Sequence, residues 1–313
     1  MNFEKIFHGL TPLRLLIVAA TIVLVLAGTQ VVYMQFARQG HAQNFSMVNR
    51  AVTGASVNNA DLASSYYETH RPRIQLAFFL NIASSRYQDN LKVFARNLQN
   101  GDYLIMRGDP SSPLAVIQAA KQSKHMFAPG VHVMTCLFYY AIGDIVRSVP
   151  KLPPGIDFVV YDYEKGSNYS PDFTTNESVS LGYFDQAEAA VLQYGKNTGS
   201  NAQLMVTPPV GELLHAGWNW GLAADHMDAI DMQLQAFVKD HALMKNLVSS
   251  TASHISEPKK HLVFVQLSLS RWPVRENIDA INATRDSRIG AFLIWYQATQ
   301  TADLEAFFDA LKR

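Results

Sequence analysis

The chain has 313 residues, 48% of them hydrophobic and 17% charged, and its 26 Lys plus Arg balance its 26 Asp plus Glu. That composition fits one ordinary globular domain with something added, and a net charge of zero provides no clustered positive field for nucleic acid. The single cysteine, Cys136, excludes an intrachain disulfide framework and a cysteine-rich metal site.

The addition stands first in the chain. No charge falls between Arg14 and Arg38, and "LLIVAATIVLVLAGTQVVYMQF" is long enough to cross a hydrocarbon core of ~30 Å. Residues 15–37 therefore read as a membrane anchor or a signal peptide, with 1–14 as a basic flank. Val25 and Ala27 suit cleavage, whereas the apolar character of Val31, Val32, Tyr33, Met34 and Phe36 suits retention. Lys5 and Arg14 on one side and Arg38 and Arg50 on the other leave the orientation open. The expectation is an extracytoplasmic domain, anchored or secreted, and the Asn-x-Ser/Thr triplets at Asn44, Asn168, Asn176 and Asn282 point the same way. Residues 38–70, polar and without a period, read as a stalk, and 71–313 as the main domain.

From residue 73 the chain alternates β-forming runs with amphipathic stretches. Eight runs follow one another: "RIQLAFFLN", "DYLIMRGD", "HVMTCLFYY", "DFVVYDYE", "AQLMVTPP", "AIDMQLQAF", "HLVFVQLSLS" and "IGAFLIWYQ". The stretch after the first, "RYQDNLKVFARNLQNG", spaces Leu91, Phe94, Ala95 and Leu98 for one helical face, with Gly101 as its cap. The third run is followed only by "AIGDIVRSV", and the fifth by the unusual "GELLHAGWNWGLAADHM". Eight β/α units over this length predict an α/β fold, a (β/α)8 TIM barrel preceded by the transmembrane or signal helix. An open doubly wound sheet is the alternative, but no Gly-rich phosphate turn follows the first run, so no dinucleotide cofactor is expected.

A barrel places its chemistry at the C-terminal ends of its strands, where the fourth run ends in Asp162, Tyr163 and Glu164. Side chains alternate along a strand, so Val160, Asp162 and Glu164 share a face, successive ones roughly 7 Å apart at ~3.3 Å per residue. Two such acids repel each other's charge, which raises the pKa of one and keeps it protonated as a general acid. The other reading is a structural pair held by cations or backbone at the rim.

At these residues the chain resembles glycoside hydrolase family 18, the chitinases and endo-N-acetylglucosaminidases, whose fourth strand carries Asp-x-x-Asp-x-Asp-x-Glu. Here Asp157, Asp162 and Glu164 match, with Val160 at the second acid; "GID" before, "KGS" after and Trp295 in "GAFLIWYQ" are also similar. The resemblance implies that Glu164 protonates the glycosidic oxygen while Asp162 orients the substrate's 2-acetamido group. The carbonyl oxygen of that group then attacks the anomeric carbon in place of an enzyme nucleophile, so the second carboxylate need not stand at the usual retaining distance. The chain departs from the family in three places. Val160 replaces the inner Asp, "CLFYYAIG" stands where Ser-x-Gly-Gly is expected, and on the sixth run Gln235 offers the family's glutamine while Phe237 falls where its tyrosine belongs.

Trp218, Trp220, Trp272 and Trp295 all follow or end strands, where flat rings can stack on sugars, although core packing is the commoner use of tryptophan. Asn81, Arg107, Asp109, Gln235 and Gln297 stand near strand ends as candidate ligand contacts, with Arg107 and Asp109 able to pair with each other or with Glu164. The ten histidines form no ligand spacing, so no metal is expected. The expected partners are a carbohydrate and, through residues 15–37, a membrane. Two functions stay open: a hydrolase of N-acetylhexosamine glycan, and an inactive barrel that binds glycan or a protein. A barrel hydrolase with Asp109 or Asp231 as partner of Glu164 is the remaining possibility.

Overall fold

A computed structural model of the chain describes residues 74–165, 170–254, 262–285 and 289–311. The expected basic flank, anchor or signal segment, and stalk lie outside the described residues. None of the described helices is long and apolar enough to cross a membrane.

The strands are β1 (Leu76–Asn81), β2 (Tyr103–Gly108), β3 (His132–Tyr139), β4 (Phe158–Tyr161), β5 (Gln203–Val206), β6 (Ala229–Gln233), β7 (Leu262–Ser268) and β8 (Ala291–Trp295). Each pairs in parallel with the next, and β8 closes on β1 with Leu76 beside Phe292 and Ala77 beside Leu293. This closure decides for the TIM barrel against the open sheet. Outside lie α1 (Tyr87–Asn97), α2 (Pro113–Ser123), α3 (Ile142–Ser148), α4 (Glu177–Thr198), α5 (Val210–His215), α6 (Trp220–Ala224), α7 (His241–His254), α8 (Val274–Thr284) and α9 (Thr301–Leu311). The unusual stretch after β5 becomes two short helices, with Gly217 between them at φ 79°. Gly101 is not the cap of α1, which ends at Asn97; at φ 88° it makes the turn into β2, a conformation that favours glycine.

Strands buried on both faces need apolar residues at every position, and the eight runs supply them. Phe79, Ile105, Cys136, Phe138, Phe158, Val160, Met205, Phe264 and Leu293 fill the lumen. The alternate residues face the helices: Phe78, for instance, packs its ring 4.8 Å from Phe94 of α1 and 5.3 Å from Phe308 of α9.

At the end of β4 and two residues beyond it, the outward pair is Tyr161 and Tyr163, both fully buried, with ring centroids 6.1 and 5.2 Å from Phe184 of α4. The Tyr163 hydroxyl accepts from the Thr174 N–H at 2.9 Å and lies 2.7 Å from Ser180 Oγ. Asn176 caps the same helix by accepting from the Val179 N–H at 3.3 Å, and Gly199 ends it in the left-handed conformation. Tyr163→Phe removes a hydroxyl that several groups share in a buried place, so it is expected to lower stability by about 1–3 kcal/mol. Urea unfolding at unchanged slope checks this; an unchanged midpoint would show that the hydroxyl contributes nothing.

Candidate active site

Strand register stacks the site in levels. Val160, Met205 and Ala229 stand side by side across β4, β5 and β6. Two residues further along each strand, at the next level toward the mouth, come Asp162, Thr207 and Asp231, and above them Glu164 and Gln233. An open cavity of about 380 Å³ sits at this end of the barrel. Its wall from β4 to β7 holds Asp162, Glu164, Thr207, Asp231, Gln233, Gln235 and Gln266; Phe79, Arg107, Phe138 and Tyr140 face them from β1 to β3, and Trp295 joins from β8.

The carboxyl groups sit in three different environments. Asp162 is 8% exposed, and its Oδ1 accepts from Thr207 Oγ1 at 2.7 Å. Burial raises its pKa, while the Thr207 hydrogen bond and the Arg107 charge pull it back. Glu164 is raised as well, first by burial and then by the Asp162 charge, with Glu212 adding to the rise and a hydrogen bond from Gln233 opposing it. Gln233 Nε2 donates to Glu164 Oε1 and, at 3.4 Å, to the Thr207 carbonyl. Asp231 is 0% exposed, and neither of its oxygens has a hydrogen-bond partner among the described residues. Burial pushes its pKa well up, and the charges of Asp162 and Glu164 push the same way, toward the neutral acid. Such a set can hold a proton on one carboxyl above a second that keeps its charge, which is the division a general acid requires.

The structure brings Arg107, Asp162, Glu164, Asp231, Gln235 and Trp295 into one cavity and leaves Asn81, Asp109, Asp157, Trp218, Trp220, Trp272 and Gln297 outside it. Asp157 lies at the start of β4, the opposite end from the mouth, where its Oδ2 accepts from the Thr135 N–H at 2.8 Å and the Thr135 hydroxyl at 3.0 Å. Asn81 accepts from the Ala83 N–H at 3.0 Å, and Asp109 from the Ser111 N–H at 2.7 Å, so both side chains close their own turns. Arg107 pairs with neither Asp109 nor Glu164 but donates to Tyr140. Trp218 and Trp220 are buried in the helical layer, their rings 5.7 Å apart and the Trp218 Nε1–H bonded to the Thr175 carbonyl at 3.1 Å. Trp272 stands behind the wall, donating to the Gln235 carbonyl at 2.6 Å.

The sixth strand is shorter than its run suggests. It leaves the ladder after Gln233, opposite Gln266, and residues 235–237 form a 3-10 turn. Hence Gln233, not Gln235, meets Glu164, and Phe237 packs against the core outside the cavity. Tyr140, Thr207, Gln233 and Gln266 were not singled out from the sequence. Each follows an inward apolar or acidic residue by two positions, and that period was the available signal.

No family profile matches the chain, and no curated protein matches it. Among solved structures it is similar to a family 18 chitinase from Crocus vernus, at 13% identity over 75% of this chain and 98% of that one, with TM-score 0.45. A family 18 N-acetylglucosaminidase from Paenibacillus barengoltzii is similar at 9% identity, over 76% and 100%, with TM-score 0.45. A protein described as a fructose-1,6-biphosphate aldolase from Coccidioides immitis is similar at 11% identity, over 82% and 94%, with TM-score 0.42. Likenesses at this level say nothing of chemistry, and the functional argument rests on the site.

Because burial raises the pKa of folded Asp231 above that of an aspartate in the unfolded chain, about 4, the folded state binds more protons between the two values and stability falls there as pH rises. Asp231→Asn cannot titrate. The variant is expected to gain stability over wild type steadily as pH increases from about 4 toward 7. Thermal midpoints of both proteins across that range check this, and a constant gap would mean that Asp231 titrates as an ordinary aspartate.

Proposed function

We propose that this protein is a glycoside hydrolase of the family 18 kind, cleaving N-acetylhexosamine glycan by substrate-assisted acid catalysis. One observation carries the reading: Asp162 and Glu164 stand together in a cavity at the C-terminal mouth, and burial plus the Asp162 charge hold Glu164 toward its protonated form. In this reading Glu164 delivers its proton to the leaving oxygen. Gln233 orients that carboxyl, and Asp162, held by Thr207, steadies the acetamido group and the positive charge that grows on it. Trp295 offers the flat surface beneath the sugar. Residues 15–37 hold the enzyme to a membrane with the barrel on the extracytoplasmic side.

One feature favours the second reading, an inactive glycan-binding barrel. Val160 places an apolar side chain directly beneath Asp162, where the resembling family has an acid, and so withdraws one partner from the catalytic aspartate.

Hydrolysis of acetylated and deacetylated oligosaccharides by the full-length chain in detergent separates the readings. Glu164→Gln keeps the shape and loses the proton, so turnover is expected to fall about 10²–10⁴-fold while glycan still binds. Asp162→Asn is expected to slow turnover too, since an amide cannot stabilise the developing charge. A free amine at the cleaved sugar supplies no internal nucleophile and is expected to block cutting there. Binding without cleavage by wild type would establish the inactive barrel. Equal cleavage of deacetylated glycan would establish a two-carboxylate hydrolase.

A further inference from the structure

Arg107 is the one guanidinium among the residues lining the cavity, and the acids around it do not explain its presence. It ends the inward row of β2, level with Asn81 and Cys136 on the neighbouring strands. Its guanidinium carbon lies 3.9 Å above the centre of the Phe138 ring, and Nη2 donates to the Tyr140 hydroxyl at 2.9 Å. A ring beneath and a hydroxyl at one nitrogen fix the plane of the group and its rotation within that plane.

No carboxylate among the described residues comes within ion-pair distance of Arg107. Asp162 takes its hydrogen bond from Thr207 and Glu164 takes its own from Gln233, both on strands away from β2. Arg107 does act on Asp162, but only as the smallest of the three influences there, behind burial and the Thr207 bond. A cation placed to neutralise a buried acid would be expected to touch it, because the desolvation cost is recovered only at close range. Arg107 instead stands clear of the acids, with one of its five N–H donors used by a side chain among the described residues. A flat, pre-oriented guanidinium with an open edge matches a carboxylate, which it binds through two parallel hydrogen bonds.

We propose that the cavity recognises a glycan carrying a carboxylate, with Arg107 as the residue that selects it and Phe138 and Tyr140 as the groups that hold Arg107 in place. This rests on the reading of the cavity as a glycan site and names the substrate class within it. The carboxylate could belong to a lactyl ether on an amino sugar or to a uronic acid, and either presents the same planar anion.

The test is calorimetric binding to the full-length chain carrying Glu164→Gln, so that turnover does not interfere. Three tetrasaccharides serve as probes: N-acetylglucosamine alone, N-acetylglucosamine alternating with N-acetylmuramic acid, and N-acetylglucosamine alternating with glucuronic acid. At least one acidic probe is expected to bind about 10-fold or more tighter than the neutral one, as a charge-assisted bidentate contact allows. Which acidic probe gains identifies the source of the carboxylate. In Arg107→Gln the ratio of acidic to neutral affinity is expected to fall toward one. Arg107→Lys keeps the charge but loses the planar fork, and it is expected to lose most of the preference as well. The acidic preference is also expected to weaken with added salt while neutral binding does not. Neutral binding as tight as both acidic ones, or a preference that survives both substitutions, overturns the proposal and leaves the glycan reading standing. If none of the three probes binds, the glycan reading falls and the proposal falls with it.

Discussion

Tyr161 and Tyr163, wedged between β4 and Phe184 of α4, govern the orientation of every side chain on the fourth strand. Because neighbours on a strand point to opposite faces, two aromatics buried outward commit Val160, Asp162 and Glu164 to the lumen. Turning the strand over would put both carboxylates beneath a helix and both rings into a lumen already filled by Phe138, Phe158 and Met205. The cost of burying unpaired charge and breaking the aromatic packing adds in one direction. The tyrosine hydroxyls extend the constraint: Tyr163 is tied to Thr174 and Ser180, at the entry to α4.

Below the mouth the lumen is an apolar core, and the change from apolar to polar happens within a single level. Met205 gives way to Thr207 and Ala229 to Asp231, while Phe264 is followed by Gln266. Asp231 lies at this transition, and with Asp162 and Glu164 it makes three carboxyl groups on neighbouring walls of one cavity. Their environments separate them. Asp162 is held by a hydroxyl and influenced by a guanidinium, Glu164 has an amide donor, and Asp231 has neither. A site with one cation and three acids settles such a conflict by keeping protons rather than charges. The same principle holds Glu164 toward its protonated form and makes Asp231 a stability cost that grows with pH.

The two sides of the cavity differ in kind. The wall from β4 to β7 is built of acids, amides and the Thr207 hydroxyl, all but Asp231 hydrogen-bonded to one another, whereas the wall from β1 to β3 is a layer of Phe79, Phe138 and Arg107. Phe79 meets Phe138 edge-on at 5.0 Å, and the guanidinium carbon of Arg107 lies 3.9 Å from the centre of the Phe138 ring. A ligand between them would meet proton chemistry on one side and a rigid, positively charged shelf on the other. The barrel itself does not choose the reaction; the side chains at its mouth do.

Eight β/α units, their parallel order, and the placement of Asp162 and Glu164 at the mouth were all legible in the amino-acid order, because hydrophobic period and strand alternation are local properties. The pairing of β8 with β1 was not, since closure is a contact between residues more than 200 positions apart. Nor was the exclusion of Trp218, Trp220, Asp157, Asn81 and Asp109 from the cavity, because a residue near a strand end can turn into the lumen, the helical layer or its own loop with equal local sense. The sixth strand shows the limit most sharply. Its run of β-formers continues to Phe237, but the ladder stops four residues earlier, at Gln233, and that early end decides which glutamine meets Glu164. Which residues can face the lumen is written into the alternation of the chain; which of them meet there depends on the stagger of strands around a closed barrel, and that exists only once the sheet has joined its own edge.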